Sequence, residues 1–274
     1  MKPVSVIKVG GAVVEDEASL LLLLQDFSSL PGRKVLVHGG GRSATRLSAR
    51  LGIESRMVNG RRVTDEETLR VVTMVYGGLV NKNLVARLQS FGVNALGLTG
   101  ADVNAIRSHR RPPKEMVMPD GTSEVVDFGF VGDVDEVDGS ILGCLIEQGI
   151  VPVIAPLTYD GKGGLLNTNA DTIASEVACG LAAQGYAVTL TYCFEKRGVL
   201  YNAEDENSVI PRMSEKDFRR LVEQGIVSDG MIPKLENAFR ALRRGTESVV
   251  ITSADHLNVK DASGTILVKE GCSA

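Results

Sequence analysis

The sequence predicts an α/β fold, a three-layer α/β/α sandwich around a mainly parallel central sheet. Three observations predict it. Short apolar runs closed by glycine alternate with longer helix-forming stretches along the chain. Such alternation implies strands joined by helical crossovers, and therefore parallel pairing with both sheet faces covered. The composition, 43% hydrophobic and 23% charged over 274 residues, is that of a globular chain with a full core. The length exceeds the roughly 150 residues of a usual domain and fits one large domain or two lobes.

Each element can be justified in order. Val4–Val9 is an apolar strand ending at Gly10-Gly11, and a helix is predicted from Glu15 to Leu30, where Pro31-Gly32 breaks it. Lys34–Val37 is a second strand, and Gly39-Gly40-Gly41 opens a helix through Leu51. Glu54–Val58 and Arg61–Thr64 flank Asn59-Gly60, the strongest short hairpin signal, because both residues tolerate the positive φ of a tight turn. A long helix starts from Asp65, capped by Thr64 or Asp65. Its apolar residues, among them Leu69, Val72, Val75 and Leu79, spread round most of its circumference, which predicts burial on more than one side. Asn94–Leu98 is a strand, and the Pro-, Gly- and charge-rich segment from Asp102 to Val137 is irregular with hairpins. A helix at Ser140–Gln148 precedes a buried strand at Gly149–Ile154. Beyond it the sequence predicts helices at Asn169–Ala183, Glu215–Gln224 and Gly230–Arg244, and strands at Ala187–Thr191, Ser248–Thr252 and Thr265–Val268.

Composition excludes some classes of function. With 30 Lys and Arg against 34 Asp and Glu, the net charge of −4 argues against a general binder of nucleic acid or anionic membrane, which needs a basic excess. Twelve Tyr and Phe with no Trp leave few base-stacking platforms. Cys144, Cys179, Cys193 and Cys272 are scattered without a C-x-x-C pair, so they are expected reduced and buried, and no metal site is expected in the chain. The opening residues lack the features of a signal peptide, and Leu20–Leu24 is far short of the ~20 apolar residues of a membrane span, so a cytoplasmic location is expected.

The glycines and cations mark the candidate site. Lys8 sits in an apolar strand just before Gly10-Gly11, where glycines let backbone N–H groups approach a phosphate and lysine adds a compact charge. A bland alternative is an edge-strand lysine that discourages aggregation. His38-Gly39-Gly40-Gly41 repeats the arrangement at a helix N-terminus, a place suited to a carboxylate or phosphate. The run through Ala44 matches a relaxed dinucleotide fingerprint, but a hairpin follows where that motif needs a parallel strand. Arg61-Arg62 could fork a carboxylate or simply be solvated. Asn167-Thr168-Asn169-Ala170-Asp171 reads by itself as a helix cap. Lys234 stands in the first turn of a helix, electrostatically misplaced unless an anion is near. P-loop, zincin and nucleophile-elbow motifs are lacking. Two glycine-flanked anion sites, two lysines and an aspartate fit phosphoryl transfer, which needs charge neutralisation and in-line positioning rather than covalent help.

Five segments together are familiar. Lys8-Val-Gly10-Gly11, His38-Gly39-Gly40-Gly41, Asn59-Gly60-Arg61-Arg62-Val63-Thr64, Asn167-Thr168-Asn169-Ala170-Asp171 and Ser228-Asp229-Gly230-Met231-Ile232-Pro233-Lys234 resemble, in order, motifs of the amino-acid kinase family, and within it the N-acetylglutamate kinases. Asp127-Phe-Gly-Phe-Val-Gly132 is similar too, and the likeness covers essentially the whole chain. The resemblance implies the amino-acid kinase fold and ATP-dependent phosphorylation of a side-chain carboxylate, giving an acyl phosphate in arginine biosynthesis. It implies that Lys8 and Lys234 stabilise the transition state and that Asp171 orients them. Gly40, Gly41, Arg62 and Asn167 would hold the N-acylglutamate, and Gly10, Gly11, Gly230 and Met231 would face the nucleotide. The lobe 1–167 would take the acyl amino acid and the lobe 168–274 ATP, with Mg²⁺ carried by the nucleotide. The long helix would pair subunits in a homodimer. Arginine-inhibited relatives carry an extra amino-terminal helix; this chain opens on its first strand, so arginine inhibition is not expected.

The sequence departs from the family pattern in two places. Leu190-Thr-Tyr-Cys-Phe-Glu-Lys-Arg-Gly198-Val-Leu200 is two residues longer than the usual nucleotide loop and lacks its aspartate. The segment with Arg107, Arg110, Arg111 and Lys114 reads either as a solvated hairpin or as a receiver for a larger, more anionic acyl group such as succinyl. A kinase for another N-acylglutamate, or a non-catalytic nucleotide-binding regulator, is the alternative function.

Overall fold

The computed structural model describes residues 1–118, 121–227, 231–257 and 264–269. β1 (Lys2–Val9) leads into α1 (Gly11–Glu15) and α2 (Glu17–Ser29). The helix expected from Glu15 to Leu30 is α2, and α1 before it is an addition the sequence did not predict. Asp16 is extended, and its side chain accepts from the Ser19 amide, so it caps α2 afresh. β2 (Arg33–His38) and α3 (Gly41–Arg50) follow, then the hairpin β3 (Met57–Val58) and β4 (Arg61–Arg62). Asn59 and Gly60 both have positive φ, as the Asn-Gly pair predicts. The long helix is α4 (Glu66–Val72), a π-helical stretch (Thr73–Val80) and α5 (Asn81–Ser90) without interruption, and Asp65 is its N-cap.

β5 (Ala95–Leu98), β6 (Ile106–Arg110), the hairpin β7 (Lys114–Val117) and β8 (Ser123–Val126), and β9 (Gly132–Val137) complete the amino-terminal part before α6 (Gly139–Glu147) and β10 (Val151–Ile154). β11 (Leu157–Tyr159) and β12 (Leu165–Asn167), not foreseen from the sequence, precede α7 (Ala170–Ala183) and β13 (Tyr186–Phe194). β14 (Arg212–Ser214), also unforeseen, α8 (Glu215–Glu223), α9 (Ile232–Arg243), β15 (Ser248–Ser253) and β16 (Thr265–Val268) close the described chain.

Eight strands form the central sheet in the order β14-β16-β15-β13-β1-β2-β10-β5, parallel at every pairing except β15 with β16. Its two faces carry separate cores. Val4 and Val6 of β1 pack with Ile173, Val177, Leu235 and Phe239 of α7 and α9, whereas Ile7 and Val9 pack with Leu24, Phe27 and Leu84 of α2 and α5. A helix layer thus covers each face, giving the expected sandwich. Strands numbered below residue 168 occupy one half of the sheet and strands above it the other, meeting where β1 pairs with β13. A smaller sheet, β12-β11-β6-β9, stands beside the main one.

Candidate active site

Lys8 emerges at the carboxyl end of β1, and β1 lies between β13 and β2. The edge-strand account of this lysine therefore fails. Alternation along the strand turns Lys8 to the same side as Val4 and Val6, toward α7 and α9. Gly10 and Gly39 leave adjacent strands here. The Gly10 amide donates to the Cys193 carbonyl at 3.2 Å, and the Gly39 amide to the Val9 carbonyl at 3.0 Å.

The two glycine loops back onto each other. A Cβ on Gly39 would stand 3.0 Å from the Gly11 nitrogen; one on Gly11 would stand 3.6 Å and 3.7 Å from the Gly40 and Gly41 nitrogens. The amide nitrogens of Gly11, Gly40 and Gly41 are thereby gathered in one small region, without side chains to cover them, as an anion cradle requires. Beneath it, a Cβ on Gly40 would come 2.9 Å from the ring of Tyr76, which the π-helical stretch presents.

His38 pins this cradle from below. The imidazole is fully buried, and burial pushes its pKa down to about 4, so it is neutral at pH 7. Nδ1–H donates to the Gly39 carbonyl at 2.8 Å, which leaves Nε2 to accept from Asn81 Nδ2 at 3.1 Å. Asn81 also donates to the Val153 carbonyl at 2.9 Å, tying the loop to β10.

Asp171 enters from the first turn of α7. Asn169 caps that helix by accepting from the amides of Asp171 and Thr172. The capping reading of the Asn-Thr-Asn-Ala-Asp segment is therefore correct, and the cap is also what aims Asp171. Its Oδ1 lies 2.7 Å from Lys8 Nζ, both side chains largely buried. Lys234, in the first turn of α9, reaches the same place. Burial lowers its pKa and nearby Lys8 adds to the shift, while Asp171 and Glu195 oppose it. Phe194, absent from the sequence-based candidates, lies against both cations, with Lys8 Nζ 5.0 Å and Lys234 Nζ 3.9 Å from its ring centroid.

Arg62 faces α3, donating to the Gly41 carbonyl at 3.0 Å, to Thr45 Oγ1 at 2.8 Å and to Ser55 Oγ at 2.8 Å. Asn167 Nδ2 donates to Thr64 Oγ1 at 2.9 Å, which joins two motifs far apart in sequence. The Asp127–Gly132 segment is the clamp between them. Thr64 exchanges backbone hydrogen bonds with Phe128 and Phe130, and the Asn167 amide donates to the Phe130 carbonyl. Gly129, at φ 70°, has the Thr64 carbonyl oxygen 2.2 Å from where a Cβ would stand, so only glycine fits.

Met231 precedes α9 and packs against the core of that layer; Gly230, with Ser228 and Asp229, lies outside the described residues. The arginines of the basic segment are paired across the β6–β9 ladder and beside it. Arg107 pairs with Glu136, His109 with Asp135 at 2.6 Å, Arg110 with Asp127 at 3.1 Å and Arg111 with Asp133 at 2.6 Å. One expectation needs correction: Cys179 and Cys193 are buried, but Cys144 on α6 is exposed, because it points away from the sheet. Cys272 lies outside the described residues. Among the described residues, no group of three or more His, Cys, Asp and Glu could hold a metal ion, and no helix is long and apolar enough to cross a membrane.

A sequence profile of the amino acid kinase family matches residues 3–253. The chain belongs to that family. The acetylglutamate kinase of Bacteroides thetaiotaomicron is 60% identical over 265 residues, 97% of this chain and 98% of that one. The acetylglutamate kinase of Phocaeicola vulgatus is likewise 60% identical, with the same coverage of both chains. Among solved structures, a Streptococcus mutans protein superposes with a TM-score of 0.75 at 27% identity, covering 97% of this chain and 98% of that one. The sandwich described above is the amino acid kinase fold.

Proposed function

We propose that the chain catalyses ATP-dependent phosphorylation of the γ-carboxylate of N-acetyl-L-glutamate, forming an acyl phosphate in arginine biosynthesis. The acetylglutamate kinases at 60% identity over nearly the whole chain support this reaction. The observation that carries the mechanism is the meeting of Lys8, Lys234 and Asp171 above a glycine cradle at the carboxyl ends of β1 and β2.

In this reading a γ-carboxylate oxygen attacks the terminal phosphorus of ATP, a new O–P bond forms, and the bond to the β-phosphate oxygen breaks to release ADP. The carboxylate is ionised at neutral pH, so no general base is needed. Charge spreading over the transferring group is met by the ammoniums of Lys8 and Lys234, which Asp171 orients. The amides of Gly40 and Gly41, with Arg62 and Asn167, hold the acyl amino acid, Arg62 on its α-carboxylate after turning from the Gly41 carbonyl. Gly10, Gly11 and Met231 face the nucleotide, and the sequence motif alone assigns Gly230 the same role. The lobe 1–167 would thus take the acyl amino acid and the lobe 168–274 ATP, with the seam between β1 and β13 beneath the transfer.

Mg²⁺ belongs in this reading to the nucleotide. The carboxylate at the site is already paired with Lys8 at 2.7 Å, so the chain's part is to receive phosphates that bring their own ion. A cytoplasmic homodimer fits the remaining features. The long helix leaves Met74 and Leu79 52% and 58% exposed, apolar surface that a second copy would cover.

The experiment is ADP release with N-acetyl-L-glutamate, N-succinyl-L-glutamate and free L-glutamate in parallel. Turnover is expected with N-acetyl-L-glutamate; none there would overturn the proposal. The ion pairs that consume Arg107, Arg110 and Arg111 favour the smaller acyl group. Retention of both lysines and of Asp171 argues against a non-catalytic regulator.

A further inference from the structure

Phe194 ends β13 inside the loop where the sequence departs from the family pattern. Its ring is nevertheless a surface that both ammoniums share, at 5.0 Å from Lys8 Nζ and 3.9 Å from Lys234 Nζ. The ring is 8% exposed and lies nearly parallel to Tyr192, centroids 5.8 Å apart and planes 9° apart. Tyr192 is fixed in turn, since its hydroxyl donates to the Asp171 carbonyl at 3.2 Å. In the strand register Lys8 lies opposite Tyr192, so Lys8, Tyr192 and Phe194 project from one face toward α7 and α9.

Two ammoniums, Lys8 buried and Lys234 half-buried, share one carboxylate and repel each other, and little water is there to screen them. A second carboxylate would relieve the repulsion, but it would also repel the phosphates and consume N–H donors. The face of an aromatic ring attracts cations through its quadrupole and carries no net charge. The geometry points to Phe194 as a positioning residue for phosphoryl transfer, whose ring face holds Lys8 and Lys234 side by side with their N–H donors left for the transferring group. The groups that face Lys234 from the packed elements are Asp171 on α7, Lys8 on β1 and Glu195 after β13. Burial lowers the lysine's pKa, and the ring opposes that by favouring the charged form.

This inference rests on the reading of Lys8 and Lys234 as the catalytic cations, so both are tested together. Phe194 is replaced by mono-, di- and trifluorinated phenylalanine, which drain the ring face of negative potential with little change of shape. Phe194→Tyr, Phe194→Leu, Lys8→Ala and Lys234→Ala are made alongside. Across the fluorine series kcat is expected to fall stepwise, by about ten- to thirtyfold at three fluorines. The KM for N-acetyl-L-glutamate should stay within about twofold. The alkaline limb of the kcat/KM profile should move to lower pH, Phe194→Tyr should restore both, and Phe194→Leu should resemble the trifluorinated protein. A ring that only fills space would leave the fluorinated series indistinguishable from the parent. That flat series, with both lysine variants inactive, overturns the role of Phe194 alone; active lysine variants overturn the lysine reading and this inference with it.

Discussion

The two ends of β1 carry the same inventory of charge and do different work. At the amino end Lys2 and Arg33 meet Glu147 at 2.9 Å and 2.8 Å, and Tyr186 donates to the same carboxylate at 3.1 Å. At the carboxyl end Lys8 meets Asp171 at 2.7 Å, Lys234 lies near enough to feel both charges, and Tyr192 donates to the Asp171 carbonyl. Two cations, one carboxylate and one tyrosine stand at each. What differs is water: the Lys2 side chain is 61% exposed and the Lys8 side chain 8%. In the exposed network both Glu147 oxygens are saturated, and hydrogen bonds from Arg33 and then Lys2 hold its pKa down to about 2. In the enclosed one the cations border a cradle of bare amides, where an arriving anion is worth far more than in water. A charge cluster marks a site when it is enclosed and still has donors to offer, not when it is merely dense.

The largest test of that contrast is to delete a lysine from each end. Lys8→Ala or Lys234→Ala should lower kcat by roughly 100- to 1,000-fold while circular dichroism stays that of the parent. Lys2→Ala should leave steady-state turnover intact, and an equal loss at both ends would break the comparison. Next comes the cradle itself. In Gly40→Ala the new methyl would stand 2.9 Å from the Tyr76 ring, and the shift it forces should reduce kcat/KM by roughly 100-fold in the same assay.

A smaller effect should appear in stability against pH. His38 has an ordinary pKa of 6.5 and a folded value of about 4, so it is neutral in both states above pH 6.5. Between those values the unfolded chain binds a proton that the folded chain refuses. Stability should therefore fall as pH drops from 6.5 to 4, by about 3 kcal/mol from this group. Urea titrations of the parent and of His38→Asn should separate this contribution from the carboxylates; parallel pH profiles would refute it. The smallest effect belongs to the exposed network. Its contribution is present above the ordinary glutamate value of 4.5 and lost as pH falls toward 2. Glu147→Gln should lower Tm by about 2–4 °C at pH 7. The gap should close in acid, with kcat unchanged throughout.

Much of the fold was legible because local chemistry decides it. Asn59-Gly60 made a hairpin, Asp65 and Asn169 capped their helices, and Gly39-Gly40-Gly41 led directly into one. What escaped had short-range signals too weak to read. β11, β12 and β14 are three residues each; β11 and β12 pair with each other across a short turn, β14 pairs with the remote β16, and the short helix before Asp16 had no side-chain cap to signal it. At the site, lysines, glycines and Asp171 were recognisable as a set from their residue types. Phe194, Tyr76 and Asn81 were not, since an aromatic or amide side chain carries no sign of what it will face.

The sequence by itself determined where the chain turns, which loops bare their amides and which residues could hold charge near a phosphate, because these follow from backbone freedom and residue chemistry. Only the tertiary structure decided which charges stay in water and which are enclosed. It paired the arginines of β6 and the following Arg111 with carboxylates of β9 and its neighbours, opposed the two glycine loops, and set one aromatic ring against two ammoniums. The physical reason is that solvation and Coulomb energy depend on distance and burial, which pairing between remote strands fixes and composition does not.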